Sequence, residues 1–320
     1  MKNGLNKLSY LLTDRTLRTL VLAVVLIIIM GLSRPNKDHG LYPSEYWARK
    51  AGWSQCADMV LAGDSRVLSG LSPIEMQKYF PGKRIYNYGF GGAWFSKQYM
   101  DKVEELLDTK AEDKTIIMGI SPHSLTKRDA DTGNFYEVHS LSDRDKFMQI
   151  HFAALMRFFD PLSFSAAIDG TFPTLAESHT ERYFYPDGWI SVHKEPSSIK
   201  DAIRKYTGFY KERVVDPCNV KNVTRYVKRW TGQGIKVYGF IPPSCEEMYE
   251  LEVKVSGLNQ QEFIKKFEAA GGVWIDTDPA AYHSFDGSHL QDDAALQLTR
   301  DFVAEMMKVQ KKNSPLAVKK

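Results

Sequence analysis

The strongest constraint on the fold is an alternation of short apolar segments with amphipathic helical segments, which runs through most of the chain. The segments with the length and composition of buried strands are residues 58–62, 84–88, 115–120, 235–241 and 273–276. Strands that alternate with helices in this way form β-α-β units, whose sheet is parallel and covered by helices on both faces. The sequence therefore predicts an α/β fold with a parallel five-stranded sheet and helices on both of its faces.

One region interrupts this alternation. Residues 124–197 contain polar loops, one helical pattern at 143–158 and an aromatic stretch, without a clear strand. We therefore predict an insertion after the third strand of a single domain that spans residues 56–310. A basic tail, residues 311–320, follows the domain.

The N-terminal part carries an uncharged apolar run, residues 19–32, which basic residues precede. We predict a transmembrane anchor over residues 19–33, with residues 1–18 in the cytoplasm and residues 34–55 as a stalk on the other side. The expected location is then the bacterial cytoplasmic membrane, in a single pass, with the domain periplasmic or extracellular. A cleaved signal peptide and a buried helix of a soluble domain are the alternatives.

Charge, cysteines and missing motifs exclude several classes of protein. A net charge of +3, from 42 basic and 39 acidic residues, is too balanced to indicate a nucleic-acid partner. Cys56, Cys218 and Cys245 form no CxxC pair, which excludes a disulfide-rich scaffold and a cysteine zinc site and allows at most one disulfide. The chain has no Walker loop, Rossmann fingerprint or GxSxG elbow, so we expect no nucleotide, no other cofactor and no metal.

Candidate chemistry lies where the predicted strands end, because functional residues of parallel sheets gather at the carboxyl ends of the strands. Ser65 directly follows the first strand, and Asp286 and His289 lie three residues apart in the loop before the last helix. A serine nucleophile needs a base, and a carboxylate beside an imidazole orients that base. We therefore predict a catalytic triad of Ser65, His289 and Asp286, with the backbone N–H of Gly92 as an oxyanion donor. A tight turn with capping side chains is the alternative for each motif taken alone.

Three motifs in this order resemble the SGNH, or GDSL-like, hydrolase superfamily. They are Gly63-Asp64-Ser65, Asn87-Tyr-Gly-Phe-Gly-Gly92 and Asp286-Gly-Ser-His289. The resemblance covers residues 56–310 apart from the insertion. It implies that Ser65 is the nucleophile, His289 the base and Asp286 its orienting group, and that the N–H groups of Ser65 and Gly92 bind the oxyanion.

The third block of that family is different here. Its Gly-x-Asn-Asp pattern supplies an oxyanion-hole asparagine, whereas this chain has Ser121 followed by a proline, so Ser121 is a candidate oxyanion donor. This exit, the Gly-Asp-Ser-Arg block and the predicted anchor resemble membrane-anchored SGNH proteins of the DltD and AlgX/AlgJ type. That resemblance implies a membrane-bound O-acyltransferase of the MBOAT class as partner and a polysaccharide or other envelope polymer as substrate.

Three further residues are candidate substrate contacts. Arg66 follows the nucleophile, His123 lies at the third strand exit and Trp189 belongs to an aromatic stretch that sugars can stack on. A helix-end salt bridge, a loop histidine without a role and core packing are the respective alternatives. The sequence thus favours a serine acyltransferase for O-acylation, and specifically O-acetylation, of an envelope or secreted polysaccharide. A carbohydrate esterase and a non-catalytic SGNH partner of an O-acyltransferase are the other hypotheses.

Overall fold

The computed structural model describes residues 15–32, 38–127, 133–153, 155, 158, 179–278 and 281–313. The strands of this part, in chain order, are β1 (Asp38–Gly40), β2 (Met59–Gly63), β3 (Ile85–Asn87), β4 (Thr115–Gly119), β5 (His179–Phe184), β6 (Ile190–Glu195), β7 (Lys236–Phe240) and β8 (Val273–Trp274). Its helices are α1 (Arg15–Leu32), α2 (Pro43–Gly52), α3 (Ser65–Gly70), α4 (Pro73–Gln77), α5 (Lys97–Glu105), α6 (Asn134–His139), α7 (Asp143–His151), α8 (Ile199–Tyr210), α9 (Pro217–Gly232), α10 (Glu246–Ser256), α11 (Gln260–Ala269) and α12 (Asp292–Asn313).

The larger sheet contains the five predicted strands in the order β3-β2-β4-β7-β8, and each neighbouring pair is parallel. Successive side chains of a strand point to opposite faces. In β2, Val60 and Ala62 face a core shared with α5, α9 and α11, whereas Met59 and Leu61 face a core shared with α3, α4 and α12. The prediction of an α/β fold with helices on both faces of a parallel sheet is therefore confirmed.

A second, three-stranded sheet lies outside the prediction. Its order is β1-β5-β6, with β1 parallel to β5 and β5 antiparallel to β6. Strands β5 and β6 lie in the region predicted to be an insertion without strands, so that prediction is wrong in this respect. Strand β1 and α2 lie in the region predicted to be a stalk, and Tyr46 of α2 is buried in a core with Leu68, Phe184 and Ile190. This sheet therefore covers α3, the helix that begins with Ser65.

The prediction of a transmembrane anchor is wrong. None of the helices among the described residues combines the length and the apolar character that a membrane span requires. Helix α1 begins with Arg15 and carries Arg18 in its first turn, so that its uncharged part is residues 19–32. At 1.5 Å per residue those residues extend about 21 Å, against a hydrocarbon core of about 30 Å. The predicted single-pass location in the membrane and the predicted membrane attachment through this helix are therefore wrong as well.

Every predicted segment lies partly outside the described residues. The segments are 1–18, 19–33, 34–55, 56–310 with its insertion 124–197, and 311–320.

Candidate active site

Ser65 is the first residue of α3, immediately beyond the carboxyl end of β2. Asp64 caps the helix, and its carboxylate accepts a hydrogen bond from the backbone N–H of Arg66 at 2.9 Å. Helix α3 packs so closely against the sheet that a Cβ at Gly63 would lie 2.4 Å from a methyl carbon of Val67 and 2.7 Å from the carbonyl oxygen of Gly119. A glycine at position 63 thus permits the sharp strand-to-helix turn that places the Ser65 hydroxyl at the edge of the sheet.

The three residues of the predicted triad are hydrogen bonded in series. The Ser65 Oγ lies 2.7 Å from Nε2 of His289, and Nδ1 of His289 lies 2.9 Å from Oδ2 of Asp286. Both residues of the Asp286–His289 pair keep less than a fifth of their side-chain surface exposed. This geometry is the arrangement in which an imidazole accepts a proton from a serine while a carboxylate holds the ring by its other nitrogen. The catalytic roles of the three residues remain predictions.

The loop around Asp286 holds its carboxylate in the ionised form. Burial raises the pKa of Asp286, but hydrogen bonds and the charge interaction with His289 outweigh burial, and the pKa lies below its usual value. Oδ1 of Asp286 also accepts hydrogen bonds from the backbone N–H groups of Ser288, at 2.9 Å, and His289, at 2.7 Å. The Asp-x-x-His spacing therefore lets one carboxylate fix both the loop and the imidazole ring.

The second motif forms a loop that lies against the nucleophile turn. The Asn87 amide donates to the carbonyl oxygens of Val67, at 2.7 Å, and Leu71, at 2.8 Å, and its oxygen accepts from the N–H of Gly89. Further along, Phe90 N–H donates to the carbonyl of Gly63 at 3.1 Å. The asparagine of the motif thus has a structural task, which is to bind the loop to α3.

Gly92 follows in the same loop, with a φ of 66° that favours glycine. Among the described residues, the backbone N–H groups of Ser65 and Gly92 have no hydrogen-bond acceptor. Both groups therefore remain candidates for the oxyanion donors.

Ser121 does not offer its hydroxyl to an oxyanion. The hydroxyl donates to Oδ2 of Asp64 at 2.6 Å and accepts from the N–H of Ser124, and the residue is fully buried. A serine has one O–H donor. Since Asp64 takes this donor, the assignment of Ser121 as an oxyanion residue is corrected: it connects the exits of β2 and β4.

Arg66 is not a substrate contact in this arrangement. Its side chain is buried and paired with Glu252 of α10, with Nη1 3.0 Å from Oε2 and Nη2 hydrogen bonded to Oε1. Burial favours the neutral form of Arg66, but the Glu252 carboxylate raises its pKa above the usual value. Nε donates to the Ser288 hydroxyl at 3.0 Å. Arg66 therefore connects the Asp286–His289 loop to Glu252, and its guanidinium is already occupied by these protein contacts.

His123 and Trp189 are also buried. The His123 ring packs against Phe209 and Tyr210 of α8, with ring centroids 5.1 and 4.8 Å apart. Trp189 is stacked on Tyr185, and its indole N–H donates to the carbonyl oxygen of Ser69 in α3 at 2.9 Å. Both side chains contribute to packing, so the prediction that they bind substrate has no support from their positions.

Several residues at the site escaped the sequence analysis. Ser288 and Tyr206 are hydrogen bonded beside Asp286, and burial followed by the Asp286 charge raises the pKa of Tyr206 to about 12. Tyr99 accepts a hydrogen bond from the N–H of Gly63 at 2.8 Å and donates to the carbonyl of Tyr88. Of these three residues, only Ser288 could have been found from the sequence, because it lies between Asp286 and His289 in the third motif.

Neither a disulfide nor a metal site is found among the described residues. Cys56, Cys218 and Cys245 are free thiols, so no disulfide forms among them. No group of three or more His, Cys, Asp or Glu side chains in this part of the chain could hold a metal ion.

A scan of the chain against protein-family models found no match, and a search of curated proteins found none either.

Proposed function

We propose that this protein is a serine enzyme that moves acyl groups, with Ser65 as the nucleophile, His289 as the general base and Asp286 as the orienting carboxylate. The observation that carries the proposal is the continuous hydrogen-bonded series Ser65–His289–Asp286 at the carboxyl edge of the parallel sheet. Three motifs in the order of the SGNH hydrolases support the same proposal. Among the described residues, the Ser65 hydroxyl has no hydrogen-bond partner besides His289 Nε2.

In the first half-reaction, the Ser65 Oγ attacks the carbonyl carbon of an ester while His289 Nε2 takes the hydroxyl proton. The imidazolium is stabilised by the ionised Asp286. The N–H groups of Ser65 and Gly92 are the proposed donors to the oxyanion. As the tetrahedral intermediate collapses, His289 gives its proton to the leaving alcohol oxygen, and the acyl group stays on Ser65 as an ester.

In the second half-reaction, an acceptor hydroxyl attacks the Ser65 ester and loses its proton to His289, which returns a proton to the Ser65 Oγ. A sugar hydroxyl as acceptor gives acyl transfer, and water gives hydrolysis. We propose transfer to a polysaccharide, with acetyl as the acyl group and a membrane-bound O-acyltransferase as partner. The Gly-Asp-Ser-Arg block and the Ile-Ser-Pro exit of β4, both similar to those of O-acylation proteins, support this finer proposal.

The full chain can be tested with p-nitrophenyl acetate. Wild-type protein is expected to release p-nitrophenol slowly, because a small ester brings little binding energy, and Ser65→Ala should fall roughly 10³-fold or to the uncatalysed rate. Ser69→Ala is the matched control: Ser69 lies one turn beyond Ser65 in α3, and its hydroxyl donates to the backbone carbonyl oxygen of Ser65 rather than to the Ser65 hydroxyl. Activity retained in Ser65→Ala would overturn the proposal.

Transfer and hydrolysis are separated by the product. With an oligosaccharide present, mass spectrometry should detect the acetylated oligosaccharide, and Ser65→Ala should not form it. Free acetate as the only product would favour the esterase alternative.

A further inference from the structure

The turn that carries His289 is closed by its own backbone. The N–H of Phe285 donates to the carbonyl oxygen of His289 at 3.1 Å, and Ser284 and Leu290 form an antiparallel bridge beside this bond. These bonds fix the shape of the turn. They do not fix where the turn lies relative to Ser65, which belongs to α3.

Gln291 attaches this turn to the three-stranded sheet. Its side-chain oxygen accepts a hydrogen bond from the backbone N–H of Lys194 in β6 at 2.9 Å, and its side-chain N–H donates to the carbonyl oxygen of Lys194 at 2.7 Å. A carboxamide has both an acceptor and donors, so it can satisfy both polar groups of one strand residue, as a neighbouring strand would. Gln291 is 7% exposed, so water has little access to these two bonds.

The place of Gln291 in the chain connects these bonds to the proposed base. Gln291 lies two residues after His289, and its carbonyl oxygen accepts the N–H of Ala295 in the first turn of α12 at 2.9 Å. Its side chain therefore binds β6 while its backbone begins α12. The hydrogen-bonded residues Lys194 and Gln291 are 97 positions apart in the chain, so the contact joins the base to a distant strand.

Lys194 contacts the same turn a second time, through its side chain. The Lys194 ammonium lies 5.8 Å from the centre of the Phe285 ring. That ring stacks on the His289 imidazole, with ring centroids 5.8 Å apart and an angle of 13° between the planes. The tilt of the imidazole therefore also depends on the contact between β6 and the turn.

From these contacts we infer that Gln291 is a positioning residue for the proposed base: by holding the turn against β6, its amide directs the His289 imidazole toward the Ser65 hydroxyl. The inference rests on the proposed function, in which His289 is the base for Ser65. It gives the three-stranded sheet, which lies outside the five-stranded parallel sheet, a part in the reaction.

Full-length Gln291→Met tests this inference, because methionine has a similar length but no hydrogen-bond donor for the Lys194 carbonyl and only a weak acceptor. Both half-reactions use His289, so a displaced imidazole slows acylation and deacylation together. With p-nitrophenyl acetate, kcat per folded molecule should fall roughly 10- to 100-fold while KM stays within about twofold. Circular dichroism gives the folded fraction and so separates this effect from a loss of stability.

Gln291→Glu is a second variant for the same contact. It keeps the acceptor for the Lys194 N–H, but its carboxylate has no donor for the Lys194 carbonyl. Its kcat should therefore lie between those of Gln291→Met and wild type. If Gln291→Met does not fold, a kcat of Gln291→Glu equal to that of wild type overturns the inference.

The matched control is His193→Gln, one residue before Lys194 in β6. The His193 ring contacts Asp292, the residue after Gln291, at 3.2 Å, but these two side chains are 42% and 39% exposed. Exposed pairs contribute little, so kcat of His193→Gln should stay within about twofold of wild type.

The outcomes separate this inference from the proposed function. An unchanged kcat per folded molecule in Gln291→Met, or an equal fall in His193→Gln, would overturn the inference alone. Hydrolysis that persists in Ser65→Ala, assayed beside these variants, would overturn the proposed function and this inference together.

Discussion

Asp64 is the residue that connects the nucleophile turn to the rest of the sheet edge. One carboxylate oxygen accepts the N–H of Arg66 and caps α3, and the other accepts the hydroxyl of Ser121 beyond β4. Asp64 is 6% exposed and Ser121 is fully buried, so solvent cannot replace the hydroxyl if it is removed. The orientation of Ser65 therefore depends on a hydrogen bond that crosses from one strand exit to the next.

Ser121→Ala should leave one oxygen of a buried carboxylate without its donor. We expect the free energy of unfolding to fall by about 1–3 kcal/mol and the rate of ester hydrolysis to fall with it, because the turn that holds Ser65 loosens. Urea unfolding and p-nitrophenyl acetate hydrolysis measure the two effects.

Ser121→Asn distinguishes this role from an oxyanion role. If the Ser121 side chain occupied an oxyanion position, an asparagine there should raise hydrolysis. Because the wild-type Ser121 hydroxyl binds Asp64 in a fully buried site, we expect no increase in the hydrolysis rate of Ser121→Asn. A clear increase in that rate would contradict the role that we assign to Ser121.

At the scale of helices and loops, the Arg66–Glu252 ion pair joins three parts of the site. Arg66 belongs to the nucleophile helix α3, Glu252 belongs to α10, and Nε of Arg66 reaches Ser288 in the Asp286–His289 loop. The side chains of the pair are 4% and 1% exposed. A buried charge that loses its partner is strongly unfavourable, so this pair makes the three parts depend on one another.

Glu252→Ala should leave the Arg66 charge unpaired and lower the free energy of unfolding by about 3–5 kcal/mol. The double variant Arg66→Met with Glu252→Leu should regain much of that stability, because neither charge remains buried. Its hydrolysis rate should nevertheless stay below wild type, since Ser288 has lost its contact with Arg66. Urea unfolding and initial rates measure both quantities, and a Glu252→Ala variant as stable as wild type would contradict this account.

The strands of the larger sheet could be predicted because burial on both faces requires apolar residues at every position. All five residues of β2 and of β4 are buried, and apart from Thr115 both strands consist of apolar residues and glycine. Strands β5 and β6 are mostly half-exposed or exposed and carry charged residues, so they have no such run.

The Arg66–Glu252 pair joins residues 186 positions apart, and no local pattern could predict it. For the site, the motifs predicted that Ser65, His289 and Asp286 meet. They did not predict that four other candidates contact protein groups in the interior: Ser121, Arg66, His123 and Trp189.

At the scale of the whole molecule, the turn between β5 and β6 connects the small sheet to the large one through hydrogen bonds. The Asp187 carbonyl accepts from the N–H of Asn87 at 2.9 Å, and the buried Lys50 ammonium donates to the carbonyl of Gly188 at 2.8 Å. The Asp187 carboxylate is inside this junction, where burial raises its pKa to about 6.

This raised pKa predicts how stability depends on pH. An unfolded aspartate titrates near 3.8, so between pH 4 and pH 6 the folded protein holds a proton that the unfolded chain has lost. The free energy of unfolding should therefore fall as pH rises through this window, by about 1.4 kcal/mol per unit and roughly 3 kcal/mol at most. Asp187→Asn, which cannot ionise, should lack this contribution.

The measurement is urea unfolding of wild type and Asp187→Asn at pH 4 and pH 7. From pH 4 to pH 7, the free energy of unfolding of wild type should fall relative to that of Asp187→Asn. An unchanged difference would contradict a buried, neutral Asp187 at the junction of the sheets.

The central claim is that His289 activates Ser65, and reaction of the full chain with a fluorophosphonate probe tests it most directly. The probe forms a Ser Oγ–P bond as fluoride leaves, and peptide mass spectrometry locates the modified residue. We predict modification of Ser65 in wild type and in Ser69→Ala, with loss of reaction in His289→Ala. Failure of folded wild-type protein to react, or reaction at Ser65 that is unchanged by His289→Ala, would contradict the account.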